Sequence, residues 1–307
     1  MPLVTGKELL QSALENHYAV GAFNANNMEQ IQAIIEAAEV ERAPVILQAS
    51  QGAIRYGGLE LVTAMVKTMG NLATVPVVLH LDHGPDFEQN VRCLRAGFTS
   101  LMFDGSKLPL DENVAITKRV VEVAHLVGVP VEAELGRVGQ SHEKLTDQQV
   151  CALMTDPKLA QEFVDRTGID SLAIACGSVH AMRVAEAELD IPRIKAIHDQ
   201  IPNIPLVLHG SSGVVADSMV AGIEAGICKI NVATYLNQAF MRGIKEGMAK
   251  YPDEVDPRKA LSMGRDYVKD AVREKIRLFK SSGTIDSSGG LKSPARQFRS
   301  KELGAVE

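Results

Sequence analysis

The fold assignment of this chain depends on one stretch, Val77-Val78-Leu79-His80-Leu81-Asp82-His83-Gly84, which follows Pro76. Its apolar first half turns into a polar cluster and stops at a glycine. This form is typical of an α/β enzyme in which a buried strand carries reactive side chains at its C-terminal end. A nitrogen of His83 can bind a metal, and the neighbouring Asp82 can act as a base. The stretch therefore predicts a buried strand that ends in an active site.

Seven more apolar runs follow the same plan, and helical patterns separate them. Eight short strands alternating with helices over roughly 230 residues predict an α/β fold, a (β/α)8 TIM barrel. A doubly wound open sheet is the alternative, but no glycine-rich phosphate turn follows the first strand. The predicted strands are 19–24, 44–48, 76–81, 100–103, 129–134, 171–175, 205–209 and 227–231.

The composition changes near residue 280. Two helical patterns, roughly 236–250 and 257–279, follow the eighth predicted strand and give the barrel additional C-terminal helices. Beyond them, serine and glycine pairs precede a mixed-charge end, which is typical of a segment without a core of its own. We therefore predict a single TIM-barrel domain over 1–280 and a flexible C-terminal tail or subunit arm over 281–307.

The composition is that of an ordinary globular domain with a sizeable core. Hydrophobic residues make up 46% and charged residues 23% of the 307 residues. A formal net charge of −6 disfavours nucleic acid or an anionic membrane as the partner, but not a small anion at a positive site. No apolar run is as long as a membrane span, and the start of the chain is unlike a signal peptide. Four cysteines without CxxC spacing indicate free thiols in a reducing compartment, so we expect a cytoplasmic protein.

Polar side chains recur where the predicted strands end. Because all C-terminal strand ends of a barrel meet at one mouth, we expect these side chains to lie together. A further histidine, His180, lies in the loop after the sixth predicted strand. The residues at or just past strand ends are Asn24, Ser50, Asp82, His83, Asp104, Glu134, His209 and Asn231.

Three of these positions predict a metal site. His83, His180 and His209 come from three different strands or loops of the mouth. Three histidines with an open fourth position are the arrangement of catalytic zinc, whereas a structural site is closed by a fourth protein ligand. Glu134 is an optional fourth ligand, and Glu132, on the same strand face, is placed to orient a histidine.

A small-residue loop beside the histidines predicts an anion site. Gly210, Ser211 and Ser212 directly follow His209, and their N–H groups can approach an anion closely. Together with Asn231 and Thr234 after the eighth strand, they occupy the place where barrels usually bind phosphate. Next to a metal site, this loop implies a phosphorylated substrate whose carbonyl the metal polarises.

From about Gly6 to Ile285 the chain resembles the class II, zinc-dependent fructose/tagatose-bisphosphate aldolase family. The motifs of the third and fifth strands are specific to that family. The Asn-Val-Ala-Thr form of the last motif resembles the tagatose branch more than the fructose branch, which usually has an aspartate at the place of Ala233. The matching motifs are Gly-Ala-Phe-Asn (21–24), Gln-Ala-Ser (48–50), His-Leu-Asp-His-Gly (80–84), Val-Glu-Ala-Glu-Leu-Gly-Arg (131–137), Gly-Ser-Val-His (177–180), Leu-Val-Leu-His-Gly-Ser-Ser (206–212) and Lys-Ile-Asn-Val-Ala-Thr (229–234).

The resemblance implies a role for each motif. Zinc on the three histidines polarises a ketose carbonyl, and Asp82 moves the proton of the C4 hydroxyl. Asn24 and Ser50 help to fix the substrate. A monovalent cation, Na⁺ or K⁺, is usual near the phosphate. The residues implied to hold the C1 phosphate are Gly210, Ser212, Asn231 and Thr234.

The chain departs from the family pattern at three places. Arg183 stands one position before the lysine that usually contacts phosphate after the second histidine. The loop after the fifth strand has His142 and Glu143 where the family has a glutamate and an aspartate, so Glu143, or failing that His142, is the expected proton shuttle. Asn237 replaces a basic residue that reaches the distal phosphate bound by a neighbouring subunit.

The leading hypothesis is a zinc-dependent aldehyde-lyase that cleaves a ketose 1,6-bisphosphate, fructose or tagatose, to dihydroxyacetone phosphate and glyceraldehyde 3-phosphate. The alternative is an aldolase for another ketose 1-phosphate whose distal end carries no phosphate. A zinc hydrolase would need an HxH pair on the first strand and an aspartate on the eighth, where Asn24 and Asn231 stand. A metal-binding barrel without catalysis would have no use for Asp82. We expect a homodimer or homotetramer.

Overall fold

A computed structural model describes residues 3–143 and 146–292. Its strands follow the apolar runs of the sequence. They are β1 (Val20–Asn24), β2 (Val45–Ser50), β3 (Val77–Asp82), β4 (Leu101–Phe103), β5 (Val131–Leu135), β6 (Gly139–Gln140), β7 (Ser171–Ile174), β8 (Val179–His180), β9 (Leu206–Leu208) and β10 (Ile227–Val232).

Helices connect the strands and form the outer layer, and two short 3₁₀ turns (141–143 and 211–213) follow β6 and β9. The helices are α1 (Gly6–Asn16), α2 (Met28–Glu41), α3 (Gln51–Gly57), α4 (Leu59–Leu72), α5 (Phe87–Ala96), α6 (Leu110–His125), α7 (Asp147–Leu153), α8 (Pro157–Thr167), α9 (Ile191–Gln200), α10 (Ala216–Glu224), α11 (Thr234–Lys250) and α12 (Pro257–Leu278).

Eight strands form one parallel sheet in the order β3-β2-β1-β10-β9-β7-β5-β4. Parallel bridges His80–Ser100 and Gly84–Phe103 join its two edges, β3 and β4, and close the barrel. The predicted TIM barrel with additional C-terminal helices is confirmed. Because helices cover the outer face of this parallel sheet and side chains fill its interior, seven of its strands are buried at every position, and β2 is buried up to its last residue.

Three features were not predicted from the sequence. The short helices α3 and α7 escaped detection because seven residues offer little helical periodicity. The pair β6 and β8 lies outside the barrel, where Gly139 is paired with Val179 and Gln140 with His180. This pair joins the loop after β5 to the loop after β7.

Of the three hydrophobic clusters among the described residues, one is only a trio of Met102, Ala173 and Val207 on β4, β7 and β9, and the other two are larger. The larger of these two lies between the sheet and the helices. The smaller one lies at the N-terminal ends of β1, β2, β3 and β10 and packs against α1, with Val4 and Leu291 partly buried against it. This cluster closes the end of the barrel opposite the mouth.

The C-terminal segment begins by packing on the barrel. Ser281 and Ile285 are buried, and the N–H of Ile285 donates to the carbonyl of Arg42. Glu41 accepts hydrogen bonds from Arg273 and Arg277 of α12, which fastens that helix to the end of α2. Residues 282–285, which the sequence assigned to the tail, therefore lie against the end of α2, and Leu291 packs against the hydrophobic clusters. The end of that predicted tail, 293–307, lies outside the described residues.

Among the helices of the described ranges, none is both long and apolar enough to cross a membrane.

Candidate active site

Asp82 and His83 reach the mouth of the barrel because β3 ends abruptly. Asp82 is the last residue of β3, and His83 follows with a left-handed backbone, φ 52°. Gly84 then approaches β4 so closely that a Cβ atom would lie 2.2 Å from the carbonyl oxygen of Met102. The tight turn directs Asp82 and His83 into the mouth.

The three predicted histidines lie together. Their ring centroids are 4.7 Å apart for His83 and His209, 5.2 Å for His83 and His180, and 5.9 Å for His180 and His209. One ring nitrogen from each lies within 4.8 Å of the others, a spacing at which three ligands can share one metal ion.

His83 is oriented by Asp104, at the end of β4. Its Nδ1 lies 2.7 Å from Asp104 Oδ2, which leaves Nε2 to face the mouth. Burial disfavours a charge on this ring, but the carboxylates of Asp82 and Asp104 outweigh it and raise the pKa of His83 to about 10. With these two carboxylates beside it, the His83 ring favours binding a cation, either a proton or a metal ion.

His209 and Glu134 form the part of the site that fits a metal ion best. His209 is 0% exposed and its Nε2 lies 3.0 Å from Glu132 Oε1. Its Nδ1 lies 3.2 Å from Glu134 Oε2, yet both atoms are buried and have no hydrogen-bond partner. Burial opposes a charge on His209, but Glu132 and Glu134 raise its pKa, so that without a metal ion a second proton can sit on Nδ1. When a metal ion replaces that proton, Nε2 keeps its own proton and both atoms are acceptors. A cation between them satisfies both, so the residues present fit a metal ion.

His180 enters the site from β8. Burial and the positive charges of His83 and His209 lower the pKa of His180 to about 3, so the ring is neutral and offers a lone pair. Gly210 packs directly on β8, where an added Cβ would lie 2.8 Å from the backbone of Val179. The glycine of the predicted phosphate loop therefore also allows His180 to approach.

Asp82 is held as a carboxylate by two amides. Asn24 Nδ2 donates to Oδ2 at 2.7 Å, and Asn231 Nδ2 donates to Oδ1 at 3.2 Å. Asn24 is oriented in turn by Gln48, whose Nε2 donates to its Oδ1 at 2.7 Å. Burial opposes ionisation, but the charges of His83 and His209 and the bond from Asn24 lower the pKa of Asp82. A fixed carboxylate beside a metal position can accept and return a proton.

The predicted phosphate residues all line one cavity at the mouth. This cavity is bounded on one side by Asp82, His83 and His180 and on the other by the loop after β9 and the start of α11. The N–H of Tyr235, in the first turn of α11, donates to Ser212 Oγ at 3.3 Å, which joins the loop to the helix. A helix N-terminus beside small-residue N–H groups suits an anion. The phosphate-side lining residues are Gly210, Ser211, Ser212, Asn231, Ala233 and Thr234.

Six predicted site residues do not line this cavity: His209 and Glu134 are buried behind it, and four others lie away from it. Ser50 caps α3 instead, where its Oγ accepts from the N–H of Ala53. Arg183 is exposed, and its carbonyl oxygen accepts a hydrogen bond from Gln238 Nε2 at 3.4 Å. His142 is exposed, and Glu143 is held by Arg137 at 2.6 Å and by the N–H of Gln140 at 2.8 Å.

Position 237 is part of an amide cluster. Asn237 Oδ1 accepts from Asn26 Nδ2 at 2.9 Å and from Gln30 Nε2 at 3.2 Å. Arg242 is one candidate for the cation that Asn237 does not supply to the distal phosphate. Its guanidinium lies 5.1 Å from the ring centre of Tyr267 in a separate cleft between α11 and α12.

Sequence reasoning missed two residues of the site. Asp104 was recognised only as a strand-end residue, and its bond to His83 was not foreseen. Gln48 stood in a quoted motif without a role, although it orients Asn24. The signal for both was their position at the end of a buried strand.

Comparison with known proteins decides the family. Residues 4–284 match the sequence profile of the family described as fructose-bisphosphate aldolase class-II. The chain belongs to this family. It is 48% identical to a fructose-bisphosphate aldolase of Geobacillus stearothermophilus over 286 residues, covering 92% of this chain and 99% of that protein. A probable fructose-bisphosphate aldolase of Bacillus subtilis is 47% identical over 285 residues, with the same coverage.

Solved structures agree with this class II aldolase assignment. The YdjI aldolase of Escherichia coli K12 superposes with a TM-score of 0.80 at 37% identity, covering 92% of this chain and 98% of that chain. A putative fructose-1,6-bisphosphate aldolase of Coccidioides immitis has a TM-score of 0.80 at 30% identity, covering 90% of this chain and 96% of that chain. The predicted family is therefore confirmed, and with it the assignment as an aldolase, a lyase whose family cleaves ketose bisphosphates.

Proposed function

We propose that this aldolase is zinc-dependent and reversibly cleaves fructose or tagatose 1,6-bisphosphate to dihydroxyacetone phosphate and glyceraldehyde 3-phosphate. The observation that supports this most is the pair of unpartnered buried atoms, His209 Nδ1 and Glu134 Oε2, beside two further histidines. His83, His180 and His209 hold the zinc ion in the proposal, with Glu134 as an optional fourth ligand. Bound there, zinc would polarise the substrate carbonyl and stabilise the negative charge that develops as the carbon–carbon bond breaks.

Asp82 is the proposed catalytic base. In the cleavage direction it takes the proton from the C4 hydroxyl, and in the condensation direction it returns that proton. Asn24 and Asn231 support this role because their amides hold both carboxylate oxygens in one orientation. A fixed base avoids the entropic cost of orientation during the reaction.

The loop after β5 carries the proposed proton shuttle for the three-carbon fragment. Glu143 is an ionised carboxylate whose pKa is lowered by Arg137 and by the N–H of Gln140. Since Glu143 does not line the cavity, it reaches the substrate only if the loop moves, as lids do in many enzymes. His142 is the second candidate on the same loop.

The C1 phosphate is proposed to bind at the start of α11. Gly210 and Ser212 contribute from the loop after β9, and Asn231 and Thr234 contribute from β10 and α11. Arg183, exposed beside this region, is the proposed additional cation, and a Na⁺ or K⁺ ion near the phosphate stays a prediction. Asn24 and Ser50 are proposed to fix the substrate, Ser50 through the start of α3 rather than by direct contact.

A cytoplasmic homodimer or homotetramer is the proposed setting. The phosphorylated substrate is a metabolic intermediate, and all four cysteines are free thiols, of which Cys93, Cys176 and Cys228 are buried and Cys151 is exposed. The oligomer would bring a second subunit's cation to the distal phosphate.

Metal removal and restoration test the proposal. Chelation is expected to abolish cleavage of the 1,6-bisphosphates, and stoichiometric zinc is expected to restore it. His180→Ala is expected to lose bound zinc, whereas His125→Ala, in the last turn of α6 and paired with Asp170, is expected to retain zinc and activity. Full activity of a verified metal-free sample, or borohydride trapping of substrate on a lysine, would contradict the mechanism.

An aldolase for another ketose 1-phosphate is the second candidate. The observation that favours it is Asn237, whose amide has no charge and is already bonded to Asn26 and Gln30. A distal phosphate normally requires a fixed cation. If no second subunit supplies one, the natural substrate carries a different group at its distal end.

A further inference from the structure

A group of buried polar side chains lies inside the barrel below the mouth, where barrels are usually filled by apolar residues. His80 and Lys229 are each 1% exposed and Glu132 is 2% exposed. Lys229 Nζ lies 2.8 Å from Glu132 Oε2 and 3.3 Å from His80 Nε2. Burying an ammonium group is costly unless it is paired. The proposed catalytic steps give this lysine no task.

Lys229 is fixed from the side of β3. Burial and the charge of Lys229 lower the pKa of His80 to about 3, so this ring is neutral. Its Nε2 therefore accepts a hydrogen bond from Lys229, and its Nδ1–H donates to Ser100 Oγ at 2.8 Å. The ammonium group has one acceptor in His80 and one in Glu132, which together set its position.

Glu132 transmits this position to the metal site. Its Oε2 accepts from Lys229, and its Oε1 accepts from His209 Nε2 at 3.0 Å. With donors on both oxygens, the carboxylate plane cannot rotate freely. When a metal ion is bound, a proton on Nε2 leaves a lone pair on Nδ1 of His209. This lone pair points toward Glu134, into the proposed metal position.

We propose that Lys229 is a positioning residue for the metal site: it neutralises and orients Glu132, which holds His209 in the tautomer that binds the metal. The inference rests on the zinc site proposed above. Lys229 does not line the cavity, so it acts through Glu132 and not on the substrate. Without the ammonium group, Glu132 Oε2 has no donor and the carboxylate is left uncompensated in the barrel interior.

Two variants separate this role from simple packing. Lys229→Met removes the charge while keeping an unbranched side chain. The double variant Glu132→Gln with Lys229→Met removes both charges and keeps a carbonyl oxygen that can accept from His209. Lys67→Met is the matched control, because Lys67 is a half-buried lysine that bonds the carbonyl of Ala96, away from the site.

The measurements are zinc affinity, by competition with a chromophoric chelator, and the visible absorption of the cobalt(II) form. Lys229→Met is expected to bind zinc about 10- to 100-fold more weakly, the usual cost of losing a partner of a metal ligand. Its cobalt spectrum is expected to change. The double variant is expected to recover most of the affinity and the cobalt spectrum of the unmodified protein, and Lys67→Met to match that protein in both.

Each outcome decides one question. Unchanged zinc affinity and an unchanged cobalt spectrum in folded Lys229→Met overturn the inference, as does a double variant no better than Lys229→Met. If Lys229→Met does not fold, a double variant that binds zinc more than 100-fold more weakly than the unmodified protein overturns it. If the unmodified protein itself binds no zinc, the proposed function fails, whatever Lys229 does.

Discussion

The metal half of the mouth and its loop half hold their side chains in different ways. In the metal half, defined by Asp82, His83 and His209, each side chain bonds to a residue from another strand or strand end, and Asp82 and His209 are buried. In the loop half, defined by His142, Glu143 and Arg183, the side chains lie half-buried or exposed on connecting segments. In the proposed mechanism, the groups that need a fixed distance from the reacting atoms are thus set by the core, whereas the groups that need to move lie on connecting segments nearer the surface.

His180 belongs to both halves. Its ring lies with the other two histidines, but its backbone is in β8, which pairs with β6 of the loop after β5. Ser141 Oγ also donates to the carbonyl of Ala181 at 3.3 Å. The segment that carries Glu143 is therefore attached to the segment that carries His180, a proposed metal ligand.

The largest effect is expected in the metal half. Asp82→Ala should retain bound zinc and lower kcat roughly 10²- to 10⁴-fold, because it removes a fixed acid–base group. Steady-state cleavage assays and metal analysis of the purified variant measure both quantities.

Asn24→Ala is the companion variant, since it keeps the carboxylate but removes one of its two amide donors. We expect a smaller loss of kcat than in Asp82→Ala. If Asp82→Ala loses its metal, Asp82 belongs to the ligand set and not to the acid–base chemistry.

The loop half should show the next largest effect, on one partial reaction. Glu143→Gln should slow exchange of the C3 proton of dihydroxyacetone phosphate with solvent about 100-fold, at the low end for a general base. Nuclear magnetic resonance of the deuterated product measures the rate. His142→Gln should leave exchange nearly unchanged.

A reversed pattern would assign the shuttle to His142. If the double variant Glu143→Gln with His142→Gln exchanges the proton at the unmodified rate, the shuttle is a residue of the metal half. The proposed assignment of this step to the loop half would then be wrong.

A third prediction concerns the distal phosphate. Fructose or tagatose 1,6-bisphosphate should exceed the corresponding 1-phosphate about tenfold or more in kcat/KM, the value of one charge-assisted contact. Arg242→Ala should erase that difference if Arg242 reaches the substrate of a neighbouring subunit. In its own subunit Arg242 packs on Tyr267, away from the cavity.

Asn237→Lys tests the same contact by adding a cation. A cation at this position should raise kcat/KM for the bisphosphate and leave the 1-phosphate unchanged. Equal rates on both substrates in the unmodified enzyme would favour the substrate without a distal phosphate.

The smallest effect on activity is expected from the ion pairs of Glu41 with Arg273 and Arg277, which join α2 to α12 outside both halves and are called the clamp here. Arg277, Arg273 and Ser282 overcome the effect of burial and lower the pKa of Glu41 from 4.5 to about 2. Its ionised form therefore stabilises the fold above about pH 4.5, and this contribution is lost as the pH falls toward 2. Glu41→Gln should lower the free energy of unfolding by about 1.5–3 kcal/mol at pH 7, with kcat unchanged at 25 °C.

Urea unfolding at pH 7 and at pH 3 measures this contribution, and the difference between variant and parent should shrink at the lower pH. Glu36→Gln, which breaks a more exposed pair with Lys269, is the control and should cost less than about 1 kcal/mol. A large loss of activity in Glu41→Gln would show that the clamp and the mouth are coupled.

The sequence predicted the metal half well because that half follows strand periodicity. A buried strand must end somewhere, and a polar residue at that end has to face the mouth, so the apolar runs alone were enough to place Asp82, His83 and His209. The lateral partners could not be placed in the same way. Whether Asp104 bonds His83 or Gln48 orients Asn24 depends on the stagger between neighbouring strands, which the sequence does not display.

The loop half was predicted less fully for a physical reason. Residues 136–146 have no apolar periodicity, so neither β6 nor its pairing with β8 could be read from them. The resemblance to the family named Glu143 and Arg183, but their side-chain contacts depend on local choices among several polar partners. Ser50 shows the converse case, since its Oγ caps α3 and the family motif alone did not indicate that contact.

The small cluster that closes the far end of the barrel has a practical meaning for anyone who attaches the protein to something else. Val4 and Leu291 both pack against that cluster, beside the N-terminal ends of the strands. The active site lies at the opposite ends of the same strands. A linker or surface joined near either segment would therefore leave the mouth turned outward, and the enzyme could be tethered without its substrate path being covered.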